Sequence, residues 1–515
     1  MIFRNTVANY VGQAYNMGCA IIVAPLYLLY VPPEEFGLIG LFLILNSTIY
    51  LLSSGLVPVL ARHAAIFKIK GRSHIDEFFN LLRAIEWTSL ALAVATLAVC
   101  LIGADWFLNQ WLNSDKLNEN VGIYSLQIMG FILATRWGIS VYSSGLAGLE
   151  RQVTLNQINV LFTTLRWPGG LALMASGLFG IMNFFTYQAI VSLLELAVTA
   201  ALFYRAIRAR TRSDARDRIA APGERVTFLT TIQNNLSFTL GTFYTVMAWA
   251  MLTQYDKILA SRSMSLELYG YFAFAILVAN GADRIAQPIG QAILPRMTIY
   301  VNEGDDQRAN VLYSQATQFM AIASLSVAVI FAFFAQPVIF AVSGNGAMAI
   351  GGAMFLTWFG MGSGILAVSS LLLILQNAHG HLRVHIHAST LSMVVQVPLI
   401  TFIALHFQAY WIGITWASMR LLVFAITAPI VHVKFSSIPL SRWLLRDIGL
   451  PLLGAVSAGL ACLVADSLMF EASLNRGLVV TKVGVYSALV ITTAFAFSDE
   501  GRRMITRRMA CRMRA

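Results

Sequence analysis

Six ionisable side chains lie near the middle of long apolar segments. They are four arginines and two acids: Arg136, Arg166, Arg284, Arg420, Glu195 and Asp283. A charge at the centre of a membrane helix costs about 2.5–3.5 kcal/mol, so it normally faces protein or water and marks a functional site. Because the arginines outnumber the acids, ion pairing alone cannot neutralise them, and the planar guanidinium fork binds phosphate oxygens in pairs. The pattern predicts an anionic ligand, with a buried ion pair such as Arg166–Glu195 as the alternative.

Polar residues accompany these charges at helical spacing. Steps of three and four residues place two such stripes each on one helix face: Asn159, Thr163 and Arg166 in one, and Asn280, Arg284, Gln287 and Gln291 in the other. A single polar side chain of this kind commonly hydrogen-bonds a neighbouring helix, but stripes that contain charges favour a water-filled cavity. Three acids are candidates for coupling to a proton or sodium ion: Glu195, Asp283 and Asp256.

The composition requires these stripes to lie in a membrane protein. Of 515 residues, 58% are hydrophobic and only 11% are charged, about half the charged fraction of a soluble chain. Apolar windows predict an all-α polytopic protein with about fourteen transmembrane helices. Their approximate limits are 8–31, 36–57, 84–104, 121–146, 153–177, 182–204, 228–254, 267–294, 313–341, 347–376, 386–406, 409–432, 447–467 and 477–498.

The distribution of basic residues predicts the orientation of these helices. One set of loops, together with the two termini, holds 26 of the 35 lysines and arginines, whereas the opposite set holds five at most. Under the positive-inside rule this bias places both termini in the cytoplasm. Reporter fusions at residues 110, 215 and 515 are therefore expected to read outside, inside and inside. A periplasmic signal at 215 would contradict the topology.

The chain also resembles itself at an offset of roughly 232 residues. Three features recur in the same order after equivalent spans: Phe36-Gly37 and Tyr269-Gly270, Pro58 and Pro295, and Gly148-x-x-Arg151 and Gly380-x-x-Arg383. Six spans separate the copies, so both face the same way, which predicts two pseudo-symmetric six-helix lobes with a substrate site between them. The predicted units are a first lobe, a basic cytoplasmic linker, a second lobe, and two further helices with a basic tail: 1–205, 206–227, 228–440 and 441–515.

Several other kinds of site are not expected. The four cysteines have no metal-binding or disulfide spacing, and the histidines at 379–387 lack an accompanying carboxylate or cysteine, so no metal site is predicted. There is no GxxxxGK[ST] motif for ATP, and no cofactor is expected. The net charge of +11 follows from membrane topology rather than from binding of nucleic acid.

One stretch of the sequence resembles a known family. The segments Tyr255-Asp256-Lys257-Ile258-Leu259, Leu268-Tyr269-Gly270-Tyr271-Phe272-Ala273 and Leu294-Pro295-Arg296-Met297 look like the hallmark region of Wzx-type polysaccharide (O-antigen) flippases. These belong to the multidrug/oligosaccharidyl-lipid/polysaccharide superfamily. The resemblance covers roughly residues 1–440. Many such flippases have twelve spans, whereas fourteen are predicted here, as in the related lipid II flippases.

The resemblance implies a function for the cationic stripes. It implies a multi-pass protein of the bacterial cytoplasmic membrane that moves an undecaprenyl-pyrophosphate-linked oligosaccharide by alternating access. Partners would be this glycan and membrane lipid, with polysaccharide polymerase and chain-length proteins as further candidates. The alternatives are a multidrug or cation antiporter of the same superfamily, which an excess of acids would suit better, and a membrane polysaccharide polymerase or glycosyltransferase. The longest external loop, about 105–120, is too small for a catalytic centre, so an enzyme is not expected.

Overall fold

Helices joined by short turns and loops make up the described part of this chain in the computed structural model, and no strand occurs there. The described residues are 12–503 except 13–14, 17, 20, 56, 113–116, 178–179, 218–227, 470–474 and 500. Side chains are also left undescribed at 72–73, 212–217, 228–229, 231–232, 234–235, 237–238, 285–288 and 468–469.

Seventeen helices are labelled here in chain order within the described residues. Those before Gly270 are α1 Pro33–Ser53, α2 Val57–Lys70, α3 Ile75–Trp106, α4 Glu119–Gly148, α5 Gln152–Thr164, α6 Gly170–Ala175, α7 Ile181–Asp217 and α8 Phe228–Ser263. They are followed by α9 Leu266–Asn302, α10 Asp306–Met320, α11 Ser326–Ser343, α12 Gly346–Ala378, α13 Arg383–His406, α14 Tyr410–Phe435, α15 Leu440–Arg442, α16 Leu450–Met469 and α17 Arg476–Phe497. Short 3-10 segments occupy Ala24–Leu29 and Gly71–His74, and π-helical segments occupy Phe107–Trp111, Leu165–Gly169, Ala321–Leu325 and Trp443–Gly449.

Local sequence signals set several helix starts. Pro33 occupies the first turn of α1, with Glu34 and Glu35 beside it, where a missing N–H costs nothing and acids favour the helix dipole. The Asn345 side chain accepts a hydrogen bond from the Met348 backbone N–H at 2.9 Å and so caps α12. Signals of this kind define the first residues of helices, which apolar windows alone locate only approximately.

The expected class is confirmed: this is an all-α multi-pass membrane protein. Nine helical spans in the described residues are long and apolar enough to cross a membrane, and they correspond to nine of the fourteen predicted segments. Of the other five, 8–31 lies partly outside the described residues. The remaining four correspond to α4, α5 with α6, α8 and α9, which carry polar stripes that lower their mean hydropathy. These four segments carry most of the candidate site residues, whereas Glu195 and Arg420 lie on two of the nine apolar spans, α7 and α14.

Two segments are more helical than the sequence predicts. Residues 57–70, expected to be part of a loop, form α2, whose Leu60, Ala64 and Phe67 side chains are buried. The predicted linker 206–227 is helical in its first half, because α7 continues to Asp217; residues 218–227 lie outside the described part.

The chain divides into two compact units, Met1–Gly270 and Tyr271–Ala515. The first contains α8, which packs against α1, α2 and α3. Its core is built by α2, α3, α4, α5 and α7 and includes Phe67 stacked on Phe78, with ring centroids 4.7 Å apart. The second unit has its own core around Trp443, which stacks on Tyr313 and donates a hydrogen bond to Thr317 Oγ1 at 2.9 Å. The six-plus-six repeat and its lobe boundaries stay predictions.

Candidate functional site

Three of the predicted charged residues come together inside the first unit. Arg136 projects from α4, Arg166 from the π-helical segment 165–169, and Glu195 from α7. Arg136 Nη1 donates to Glu195 Oε2 at 3.2 Å, and Arg166 Nη2 donates to the same oxygen. One carboxylate oxygen thus joins two guanidinium groups from two different elements. We call these three residues the charged cluster.

The charged cluster is buried. Arg166 and Glu195 are only 8% and 6% exposed, and the side chain of Arg136 is 14% exposed. Asn46 on α1 adds a fourth partner, because its Oδ1 accepts a hydrogen bond from Arg136 Nε at 2.8 Å. Burying charges is costly unless each is paired and hydrogen-bonded, so these contacts explain how the cluster persists at this depth.

The backbone around Arg166 is opened by proline. Pro168 lies within the segment Leu165–Gly169; it has no N–H to donate, and its ring disfavours ordinary helical packing against the preceding turn. The chain responds with a π-helical turn, which is typical of functional sites in helices. This widened turn leaves backbone carbonyl groups that need other donors.

Those carbonyl groups are satisfied by side chains from two other elements. Gln188 Nε2 donates to Arg166 O at 2.8 Å, and Tyr187 Oη donates to Leu165 O at 2.7 Å. Tyr27 Oη donates to Trp167 O at 2.8 Å. The position of Arg166 is therefore fixed through its backbone, independently of its ion pair.

The charges in the cluster do not cancel. Two guanidinium groups face one carboxylate, which leaves an excess positive charge. The buried Nη1 of Arg166 makes no hydrogen bond to any of the described residues, although a guanidinium carries five N–H donors. Such an arrangement offers free donors to an anion. With a single carboxylate and no histidine or cysteine, it is unsuited to holding a metal ion.

The other predicted residues of the first unit lie outside these contacts. Asn159 is half-buried on α5, on the stripe that leads to Arg166. Asp256 on α8 is completely buried, with its Oδ2 3.2 Å from Lys257 Nζ. The candidate coupling residue Asp256 is therefore charge-compensated by its own neighbour in sequence.

The remaining predicted residues lie in the second unit. On α9, Asn280 and Arg284 are exposed and Asp283 is half-buried, while the side chain of Gln287 is outside the described part. On α14, Arg420 is buried and its guanidinium carbon lies 5.1 Å from the centre of the Trp416 ring. Arg420 is thus held by a cation–π contact and is not part of the charged cluster.

Tyr27 and Tyr187 are not among the residues predicted for the site. The signal that could have found them is Pro168, two residues after a mid-span arginine. A proline inside a membrane helix frees carbonyl groups that neighbouring side chains must satisfy. Which tyrosines do so depends on tertiary packing.

Comparison with known proteins identifies the fold but not a sequence family. No family model matches the chain, and no curated protein sequence matches it significantly. Among solved structures, the lipid II flippase MurJ in an inward closed conformation superposes with a TM-score of 0.66 at 15% identity, covering 98% of this chain and 100% of that one. An inward-facing multidrug-resistance MATE transporter of the MOP superfamily gives 0.58 at 16% identity, covering 82% and 95%. The eukaryotic MATE transporter AtDTX14 gives 0.51 at 12% identity, covering 87% and 99%. The chain thus has the fold that the lipid II flippase MurJ and these MATE transporters share.

Proposed function

We propose that this protein is a flippase. Its substrate is an undecaprenyl-pyrophosphate-linked oligosaccharide, such as an O-antigen, capsule or exopolysaccharide repeat unit, which moves from the cytoplasmic to the periplasmic leaflet of a bacterial cytoplasmic membrane. The observation that carries the proposal is the charged cluster, with its excess positive charge and the unbonded Nη1 of Arg166. The anionic oxygens of a pyrophosphate would accept hydrogen bonds from these guanidinium groups and balance their excess charge.

The cluster can bind and release an anion without moving its backbone. Arg136 and Arg166 share one oxygen of Glu195, so protonation of that carboxylate frees both guanidinium groups at once. Charge-assisted hydrogen bonds to pyrophosphate then replace those to Glu195. Loss of the proton restores the internal pairs and favours release. Glu195 is for this reason the candidate for coupling transport to protons.

The remaining predicted residues extend this proposal. Arg284 and Arg420 are further candidate cationic residues for the substrate, and Asn159, Asn280 and Gln287 are candidates for contacts with its sugars. Alternating access is the proposed mode of transport. Asp283 and Asp256 are further coupling candidates, although the ion pair with Lys257 makes Asp256 the weaker of the two. Polysaccharide polymerase and chain-length proteins are the proposed partners.

A multidrug cation exporter is the second candidate function. Glu195 favours it, because a buried carboxylate that contacts two arginines could exchange them for a cationic drug. The surplus of arginine over carboxylate in the cluster favours an anion instead. The Glu195→Gln variant separates the two functions, since it removes the negative charge that a cation requires. An anion transporter retains binding in this variant, whereas a cation exporter loses it.

Neutralising either arginine of the cluster is expected to impair glycan translocation. Arg136→Ala and Arg166→Ala each remove at least one charge-assisted hydrogen bond, worth about 1.5–3 kcal/mol, so a loss of at least about tenfold per variant follows. Arg166→Lys should recover activity only in part, because it keeps the charge but loses the planar fork. The measurement is exposure of lipid-linked glycan on the outer leaflet, normalised to folded protein in the membrane.

Arg151→Ala is the matched control, because Arg151 is an exposed arginine at the start of α5. It should export normally. Full export by well-expressed Arg136→Ala and Arg166→Ala variants would refute the proposed function and leave only the fold.

A further inference from the structure

A second cluster of ionisable side chains lies in the turn between α2 and α3, and the proposed flippase function does not use it. His63 is on α2, His74 ends the 3-10 segment Gly71–His74, and Glu77 is in the first turn of α3. His63 Nδ1 lies 3.1 Å from His74 Nε2 and 3.7 Å from Glu77 Oε1, and His74 Nδ1 lies 3.0 Å from Glu77 Oε2. Within the described residues this is the only trio of histidine, cysteine or acidic side chains with such close ligand atoms.

We infer that His63, His74 and Glu77 form a binding site for a divalent transition-metal ion such as Zn²⁺. Two nitrogens bound to one tetrahedral zinc ion at about 2.0–2.1 Å lie roughly 3.3 Å apart. The separations of 3.1 and 3.7 Å from His63 Nδ1 lie on either side of that value. Two imidazoles and one carboxylate are ligands that zinc accepts, and three protein ligands leave a fourth position for water.

The carboxylate of Glu77 lies close to both histidines. Its Oε1 is 3.7 Å from His63 Nδ1, and its Oε2 is 3.0 Å from His74 Nδ1. It therefore brings a negatively charged oxygen ligand next to the two imidazoles, which suits a divalent cation.

The scaffold holds the two histidines in place before any ion binds. Gly71, with φ of 57°, adopts the left-handed conformation that lets the chain reverse between α2 and α3. Just inside the turn, Phe67 and Phe78 are fully buried and stack at 4.7 Å. The imidazole rings lie nearly parallel, at 12°, with their centroids 5.2 Å apart. A preorganised pair of this kind loses little conformational freedom on binding.

The exposure of the three side chains shows how an ion could reach this position. Both histidine side chains are buried, whereas that of Glu77 is 28% exposed. The ion can therefore enter on the Glu77 side. Once bound, it would link α2 to α3.

The test is a zinc titration of the purified full-length protein in detergent, in competition with a chelating dye. One equivalent per chain is expected for the unaltered protein. His63→Gln and His74→Gln should weaken binding more than tenfold, because the loss of even an outer-shell partner typically costs 10- to 100-fold. Zn²⁺ should also raise the thermal unfolding midpoint of the unaltered protein but not that of either variant.

His381→Gln is the matched control, since His381 is an exposed histidine in the second histidine-rich segment. This variant should still bind one equivalent of Zn²⁺ per chain, and Zn²⁺ should still raise its thermal unfolding midpoint. If the histidine variants do not fold, Glu77→Gln retains both rings and should still weaken binding more than tenfold. Unchanged zinc affinity in these variants, or loss of the equivalent in His381→Gln, would show that the trio is only a hydrogen-bonded chain. Neither result depends on glycan transport.

Discussion

Replacing Glu195 by alanine is expected to destabilise the first unit by about 3–5 kcal/mol, because it removes the single carboxylate that contacts two buried arginines. Both Arg136 and Arg166 contact that carboxylate, and among the residues that the structure describes Arg166 forms no other ion pair. Two uncompensated positive charges would then lie close together inside the membrane. The measurement is the thermal unfolding midpoint of the purified protein in detergent.

The same substitution at an exposed ion pair gives the control. Glu150 contacts Lys68 where its side chain is 61% exposed, and Glu150→Ala should change stability by about 1 kcal/mol or less, as exposed pairs do. Adding Arg166→Met to Glu195→Ala should restore much of the loss, because the double variant removes a buried charge along with its partner. A Glu195→Ala protein as stable as Glu150→Ala would show that water, not Glu195, solvates the arginines.

The members of the charged cluster stand out in the sequence as mid-span charges, but their pairing could not be predicted in full. A mid-span arginine is conspicuous, and Arg166 with Glu195 was one of two interpretations that the sequence allowed. The structure contains this ion pair and adds Arg136 to it. The sequence could not show that both guanidinium groups reach one oxygen, since that depends on how α4, α7 and the proline-opened segment pack. The structure thus contains the buried ion pair, and the second arginine leaves an excess positive charge beside it.

Most membrane helices were predictable because apolar windows measure the property that the bilayer selects. α12 and α14, for example, end within three residues of the predicted limits. The same windows overlooked α2, because Arg62, Lys68 and Lys70 lower its hydropathy even though its other face is buried. An amphipathic helix of this kind is selected for packing one face against the protein core, not for uniform hydrophobicity.

The proposed metal site was hidden for a different reason. His63 and His74 are eleven positions apart in the sequence, outside the short spacings of common zinc motifs. They meet because Gly71 reverses the chain and the Phe67–Phe78 contact holds the two helices together. Histidines crowded in sequence at 379–387 gave a more visible pattern, yet no comparable trio forms there among the described residues.

A close approach of α1 to residues 266–270, within the first unit, gives the other large expected effect. A Cβ atom placed on Gly37 of α1 would lie 2.0 Å from the Leu266 carbonyl oxygen at the start of α9. One placed on Gly270 would lie 3.0 Å from the Gly37 backbone nitrogen. These are the two glycines that the internal repeat places at equivalent positions. Because the obstacle at Gly37 is backbone rather than a flexible side chain, no rotamer change can relieve the clash.

Gly37→Ala is therefore expected to separate α1 from the start of α9 and to cost about 1–3 kcal/mol or more, as overpacking does. Gly270→Ala should have a smaller effect, since the nearest atom, at 2.9 Å, belongs to the Phe36 side chain. Gly103→Ala is the matched control, because a Cβ there meets no atom within 4 Å and alanine favours a helix by roughly 1 kcal/mol over glycine. The readout is the amount of folded protein recovered from the membrane together with its thermal midpoint. If Gly37→Ala and Gly103→Ala give the same yield of folded protein and the same thermal midpoint, the close approach of α1 to the first turn of α9 does not contribute to stability.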